Sequence, residues 1–75
     1  MSTLADISVG ARVRVGKVDG SDAVSLRLLE MGLTPGVELA LVGTAPFGDP
    51  LQVKLRGYRL SLRRRDAARV EVEPA

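Results

Sequence analysis

The sequence predicts a mainly β protein: a small five-stranded antiparallel barrel with one short α-helix after the first strand. Three observations lead there. Five short apolar runs, most alternating with polar residues, are separated by Gly, Pro and Asp clusters. Only the segment from Ala23 to Met31 carries helical spacing. Finally, a small antiparallel sheet cannot leave both edges open and still enclose a core, so it curls, and the helix closes one end. At 75 residues, with hairpins this short, an SH3-like barrel fits better than an OB-fold.

Residues 4–10 form a lead-in that brings Leu4 and Ile7 to the core edge, with a turn at Gly10-Ala11. Arg12-Val13-Arg14-Val15 alternates as a half-buried strand does. Gly16 interrupts it, and a bulge there returns Val18 to the inner face. Asp19-Gly20-Ser21-Asp22 is a turn, from which Ser21 or Asp22 caps the helix. In that helix Val24, Leu28 and Met31 sit at i, i+4 and i+7, with Leu26 and Leu29 widening the stripe. Arg27 and Glu30 fall outside, close enough to pair weakly. The helix is too short to stand alone in water, so it packs on strands. Gly32 stops it in the left-handed conformation, with Leu33 and Leu28 touching across the cap. Pro35-Gly36 then turns the chain into a strand from Val37 to Ala45, with Val37, Leu39 and Leu41 on one face.

Ala45-Pro46-Phe47-Gly48-Asp49-Pro50 is a loop. Leu51, Val53 and Leu55 alternate on one strand and Tyr58, Leu60 and Leu62 on the next, with Gly57 and Tyr58 making the tight connection of an antiparallel hairpin. Residues 63–68 break the alternation with a single helical or 3₁₀ turn. A last strand, Arg69 to Glu73, points Val70 and Val72 inward.

One domain over residues 1–75 is expected. A chain this small buries only roughly 60% of its unfolded surface, and without cysteine it has no disulfide brace. It therefore relies on packing or on a partner. The first ten residues hold Asp6 and no apolar run, unlike a signal peptide. No stretch approaches the roughly 20 apolar residues that cross a bilayer. A cytoplasmic location is expected, with the membrane reached only through a partner. The net charge of +2 is uneven. Residues 1–51 carry four Lys/Arg against six Asp/Glu (−2), and residues 52–75 carry seven against three (+4).

Several chemistries are excluded. Without His there is no neutral-pH proton shuttle, and without Cys no thiolate nucleophile or zinc finger. The carboxylates are scattered singly except Glu71 and Glu73, which share the solvent face of the last strand. Gly10 and Gly16-Lys17 suggest a phosphate loop, but the gap is one residue too long and Val18 stands where Ser or Thr is needed. No catalytic residue, metal site or cofactor is expected. Arg56, Arg59 and Arg63 to Arg65 raise nucleic-acid binding as an alternative function. Only Tyr58 could stack on a base, and Asp66, Glu71 and Glu73 dilute the patch, so solvent or an acidic protein suits that face better. Two aromatics cannot line a proline-peptide groove.

The run Arg27-Leu28-Leu29-Glu30-Met31-Gly32-Leu33-Thr34-Pro35-Gly36 resembles the signature of the ferrous iron transport protein A family, FeoA. The 45–50 loop, the hairpin Gly57-Tyr58-Arg59-Leu60-Ser61-Leu62-Arg63 and the turn Asp66-Ala67-Ala68 resemble that family's later segments. Order and spacing agree over nearly the whole chain; the N-terminal third is generic, and Asp66 stands where Glu is also common. The resemblance implies an SH3-like barrel in the bacterial cytoplasm. It implies an accessory role in ferrous iron uptake through contact with the membrane transporter FeoB and its GTPase domain. The second alternative is a detached SH3-like domain of an iron-dependent repressor; a start at Met1 and a whole barrel at this length point instead to a stand-alone form.

On this resemblance the candidate partner-binding residues are Arg27, Met31, Leu33, Thr34 and Pro35 around the helix end, Tyr58 and Arg59 at the hairpin, and Phe47 in the loop. For Met31 and Leu33 a core role and a docking role both stay open, as do a barrel plug and an exposed anchor for Phe47. Arg27 and Arg59 are of the type that supplies an arginine finger to a GTPase, but arginine alone is not a specific signal. Gly32, Gly36, Gly48 and Gly57 are read as structural turns. Open strand edges leave room for self-association.

Overall fold

The computed structural model describes residues 2–75, with Met1 outside it. In chain order the elements are β1 (Ser2–Thr3), β2 (Arg12–Val18), α1 (Ala23–Glu30), β3 (Glu38–Thr44), β4 (Leu51–Leu55), β5 (Tyr58–Leu62), α2 (Arg64–Ala67) and β6 (Val70–Pro74). The strands form one antiparallel sheet in the order β1-β6-β2-β3-β4-β5. One face of every strand from β2 to β6 points into a single core, from Val13 and Val15 through Leu39, Leu41, Leu51, Val53, Leu55 and Leu62 to Val70 and Val72. Leu4, Leu28, Leu33 and Ala67 fill it from the connections. A sheet whose one face meets itself within 30 × 25 × 24 Å is curled. This is the predicted SH3-like barrel.

Two irregularities curl it. The register slips between Val15 and Lys17 and again between Leu41 and Gly43. The first is the expected bulge at Gly16, and Val18 does pack against the core. β1 adds a sixth strand to the five expected, pairing Ser2 with Val72 and Thr3 with Glu71. Two residues carry no readable alternation, so nothing in the sequence announces it.

At the start of α1, Asp22 is the N-cap. Its Oδ1 accepts from the Ser25 N–H at 3.1 Å, and the Ser25 hydroxyl donates to the Asp22 carbonyl at 2.9 Å. That exchange satisfies Ser25, which is buried. Arg69 Nη1 donates to both Asp22 carboxylate oxygens, at 2.7 and 2.8 Å, and so ties the helix start to β6.

The expected helix face needs correction. Val24, Leu28 and Met31 do face the core, but Leu26 and Leu29 are exposed. Leu26 lies about 200° around the helix from both Val24 and Leu28, on the opposite side. Glu30 is not the partner of Arg27, whose Nη2 lies 3.6 Å from Asp66 Oδ2 on α2.

First the Arg69 hydrogen bond, then the Ser25 backbone N–H, hold the Asp22 carboxyl down at about 2, against an ordinary 3.8. A depressed carboxylate stabilises the fold above its unfolded pKa, and that stabilisation is lost as pH falls through the folded value. The gap in thermal midpoint between the native chain and Asp22→Asn should be widest above about pH 4 and should close towards about pH 2.

Candidate functional site

The helix-end segment is built in three steps. Gly32 N–H donates to the Leu29 carbonyl at 3.0 Å and Leu33 N–H to the Leu28 carbonyl at 3.2 Å. These are the two bonds of a Schellman cap, with Gly32 at φ +106°. The cap swings Leu33 inward, where it is 0% exposed, against Leu28 at 1%. Next, Val37 N–H donates to the Thr34 carbonyl at 3.1 Å, with Pro35 and Gly36 (φ +92°) between them. This is a type II turn with Pro35 at its exposed tip. Lastly, Gly36 N–H donates to the Val15 carbonyl at 2.7 Å and Val15 N–H to the Val37 carbonyl at 2.9 Å, which fixes the turn to β2.

The hairpin between β4 and β5 locks the other side. Arg56 and Gly57 both take positive φ, 49° and 85°, as a two-residue type I′ turn requires. This starts β5 at Tyr58, whose hydroxyl donates to the Met31 carbonyl at 2.8 Å. That carbonyl is one of the helix-end acceptors that α1 itself cannot satisfy. A Cβ on Gly32 would lie 2.5 Å from the Tyr58 hydroxyl, so glycine is needed there for space as well as for φ.

The predicted partner residues therefore divide. Met31 and Thr34 are half-buried, while Pro35, Arg27 and Arg59 are exposed. Tyr58 is 42% exposed, with its hydroxyl committed to the helix end. Tyr58 meets Met31 directly, Arg59 follows Tyr58 on β5, and Arg27 lies about one helical turn before Met31. Leu33 does not belong among them: the cap that exposes Pro35 buries Leu33, so its apolar surface is spent on the core.

Phe47 stands apart. Its side chain is fully exposed, so it does not plug the barrel. It sits in a 3₁₀ turn, Pro46–Gly48, at φ +71°. That turn joins β3 to β4 at the Leu51 end, whereas Tyr58 pairs with Leu55 at the other, about 13 Å away along the strand.

One functional-looking residue turns out to be structural. Arg64, counted in the basic patch, donates Nη1 to the Ala5 carbonyl at 2.6 Å and Nη2 and Nε to the Gly48 carbonyl at 2.9 and 3.1 Å. Its backbone N–H donates to Asp49 Oδ1 at 2.9 Å, so Asp49 caps α2 from a distant loop. The pairing of Arg64 with two loops far away in the chain left no local signal. Among the described residues, no group of three or more acidic, His or Cys side chains gathers as a metal site.

A curled antiparallel sheet, with one helix capped onto its hairpin and a proline turn held clear of the core, defines an SH3-like module. A model of the FeoA domain matches residues 2–74, and the chain belongs to that family. It is 37% identical over 70 residues to a fusion of Fe(2+) transport protein A with the Fe(2+) transporter FeoB from Porphyromonas gingivalis. It covers 8% of that relative's length. The iron(II) transport protein A of Clostridium thermocellum superposes at a TM-score of 0.92 with 32% identity, covering 99% of this chain and 46% of that one. FeoA of Stenotrophomonas maltophilia in complex with zinc, a prokaryotic SH3 domain protein, gives 0.85 and 32%, covering 97% and 91%. The manganese regulator SloR, at 18% identity and 0.84, shares the fold alone.

Gly32→Ala should cost about 1–2 kcal/mol of stability from the left-handed backbone, and more from the clash. In a Tyr58→Phe background the added cost should shrink, because the clashing hydroxyl is gone. Urea unfolding of the two single variants and the double variant reads the coupling. Arg64→Ala should lower stability by about 1–3 kcal/mol, since it leaves the Gly48 and Ala5 carbonyls without their donors, whereas Arg63→Ala and Arg65→Ala should each shift it by less than about 0.5 kcal/mol.

Proposed function

We propose that this protein is an accessory factor of bacterial ferrous iron uptake, without catalytic chemistry of its own, that acts in the cytoplasm by docking on a FeoB-type transporter. The observation that carries the reading is the Porphyromonas gingivalis fusion, in which a relative of this domain and the transporter share one chain. Fusion partners meet at high effective concentration, so an interaction that is weak between separate chains suffices. The Stenotrophomonas maltophilia relative is described as a candidate activating factor of ferrous iron transport, which agrees with an accessory role.

The docking surface is the helix end: Met31, Thr34 and Pro35, flanked by Arg27, Tyr58 and Arg59. Its backbone is fixed by the Schellman cap and the type II turn, so little conformational entropy is lost on binding. Phe47, exposed on its own loop, is a second anchor on the same partner.

Nucleic-acid binding is the weaker reading. Arg64 is committed to two backbone carbonyls. Arg27, Arg14 and Arg69 face carboxylates.

Binding to the transporter from the same organism in nanodiscs, with and without guanine nucleotide and with duplex DNA as comparator, tests the reading. Saturable binding that survives moderate salt is expected. Thr34→Asp with Pro35→Ser should weaken it about tenfold. No binding in any nucleotide state, or tight salt-sensitive binding to DNA instead, would overturn it.

A further inference from the structure

β5 is an edge strand. Among the described residues no strand pairs with its outer side. In a hairpin closed by a two-residue turn, the pair Leu55–Tyr58 exchanges both hydrogen bonds, and the pattern then alternates. Leu60 and Leu62 therefore bond inward to β4. The N–H and C=O groups of Arg59 and Ser61 point outward, and neither residue makes another backbone bond.

That edge does not face open water along its length. It opens into a cleft of about 370 Å³ bounded by Ser61 and Arg63, by Arg27 and Met31 of α1, and by Arg65 and Asp66 of α2. A second hollow of about 320 Å³ shares Ser61 and Arg63 and runs on to Asp49 and Pro50. The two hollows meet at Ser61 and Arg63, and together they form the groove beside β5.

The groove is cationic. Arg63 and Arg65 line it, Arg59 precedes them on β5, all three are exposed, and among the described residues none is in an ion pair. Of its two carboxylates, Asp66 faces Arg27 at 3.6 Å and Asp49 accepts from the Arg64 backbone. A second copy of β5 suits this groove poorly. Antiparallel pairing through Ser61 would set Arg59 of one copy against Arg63 of the other, and like charges across a ladder destabilise it.

We infer that the β5 edge and its arginine-lined groove bind an extended acidic segment of a partner protein by strand addition. The outward backbone groups of Arg59 and Ser61 supply main-chain hydrogen bonds, and the three arginines select carboxylates on the incoming strand. With only two residues offering outward groups, the contact is short and reversible. It adjoins the proposed transporter-docking surface at Arg27, Met31 and Arg59 but uses neither Thr34 nor Pro35, so Thr34→Asp with Pro35→Ser should leave it intact and separates the two readings.

The test titrates the full-length, isotope-labelled chain with three short peptides and follows amide shifts and hydrogen exchange. The first alternates Glu and Val, the second alternates Lys and Val, and the third is acidic with proline at alternate positions so that it cannot add a strand. An oligodeoxynucleotide of matching charge is the fourth probe. The Glu–Val peptide should saturate, protect the Arg59 and Ser61 amides from exchange, and lose about tenfold or more in affinity with Arg63→Glu/Arg65→Glu. The Lys–Val and proline peptides should give no protection. Three results would overturn the inference: no protection at about 1 mM Glu–Val peptide, equal binding of the proline peptide, or tighter binding of the oligonucleotide at the same groove.

Discussion

The Schellman cap at Gly32 is the constraint on which the rest of the molecule depends. Two backbone bonds and one left-handed glycine end α1, send Leu33 into the core and turn the chain outward at Pro35. The Tyr58 hydroxyl, reaching across 27 residues of sequence, then takes the Met31 carbonyl. One small motif thereby sets the helix on the hairpin and fixes the exposed Pro35 turn beside it. An eight-residue helix has little stability of its own, so its position is a product of these tertiary bonds and of Leu28 in the core.

The same economy holds elsewhere. Asp22 caps α1 and receives Arg69; Asp49 caps α2 while Arg64 returns to the Gly48 carbonyl and to Ala5. In a chain without disulfides, loops are held by such side-chain to backbone bonds. Of the eleven basic residues, Arg14, Lys17, Arg27 and Arg69 face carboxylates and Arg64 holds two loop carbonyls. Among the arginines that face no carboxylate, Arg59 on β5 and Arg63 and Arg65 just beyond it lie near one another in the chain, and their like charges discourage self-pairing of that edge.

Much of the fold was legible because it rests on local rules. Alternation located β2 to β6, Gly16 located the bulge, and Gly32 with Leu28 and Leu33 located the cap. What was not legible depends on non-local geometry. The two residues of β1 carry no pattern. The burial of Ser25 rather than Leu26 or Leu29 follows from how Asp22 seats the helix. Among the candidate residues, Pro35, Arg27 and Arg59 are exposed, as a surface role requires. Leu33 is not, because an apolar residue at that cap position serves the core first. Phe47 is exposed on a turn where it holds a left-handed φ, a conformation that composition alone does not announce for phenylalanine.

The central claim is that the cap at Gly32 presents a docking face at the helix end. The most direct test is residue-level mapping of the labelled protein with the transporter's cytoplasmic GTPase domain. The account predicts amide perturbations gathered at Met31, Thr34, Gly36, Tyr58 and Arg59. Perturbations confined to the Arg14–Glu73 pair between β2 and β6, with none at those five residues, would contradict it.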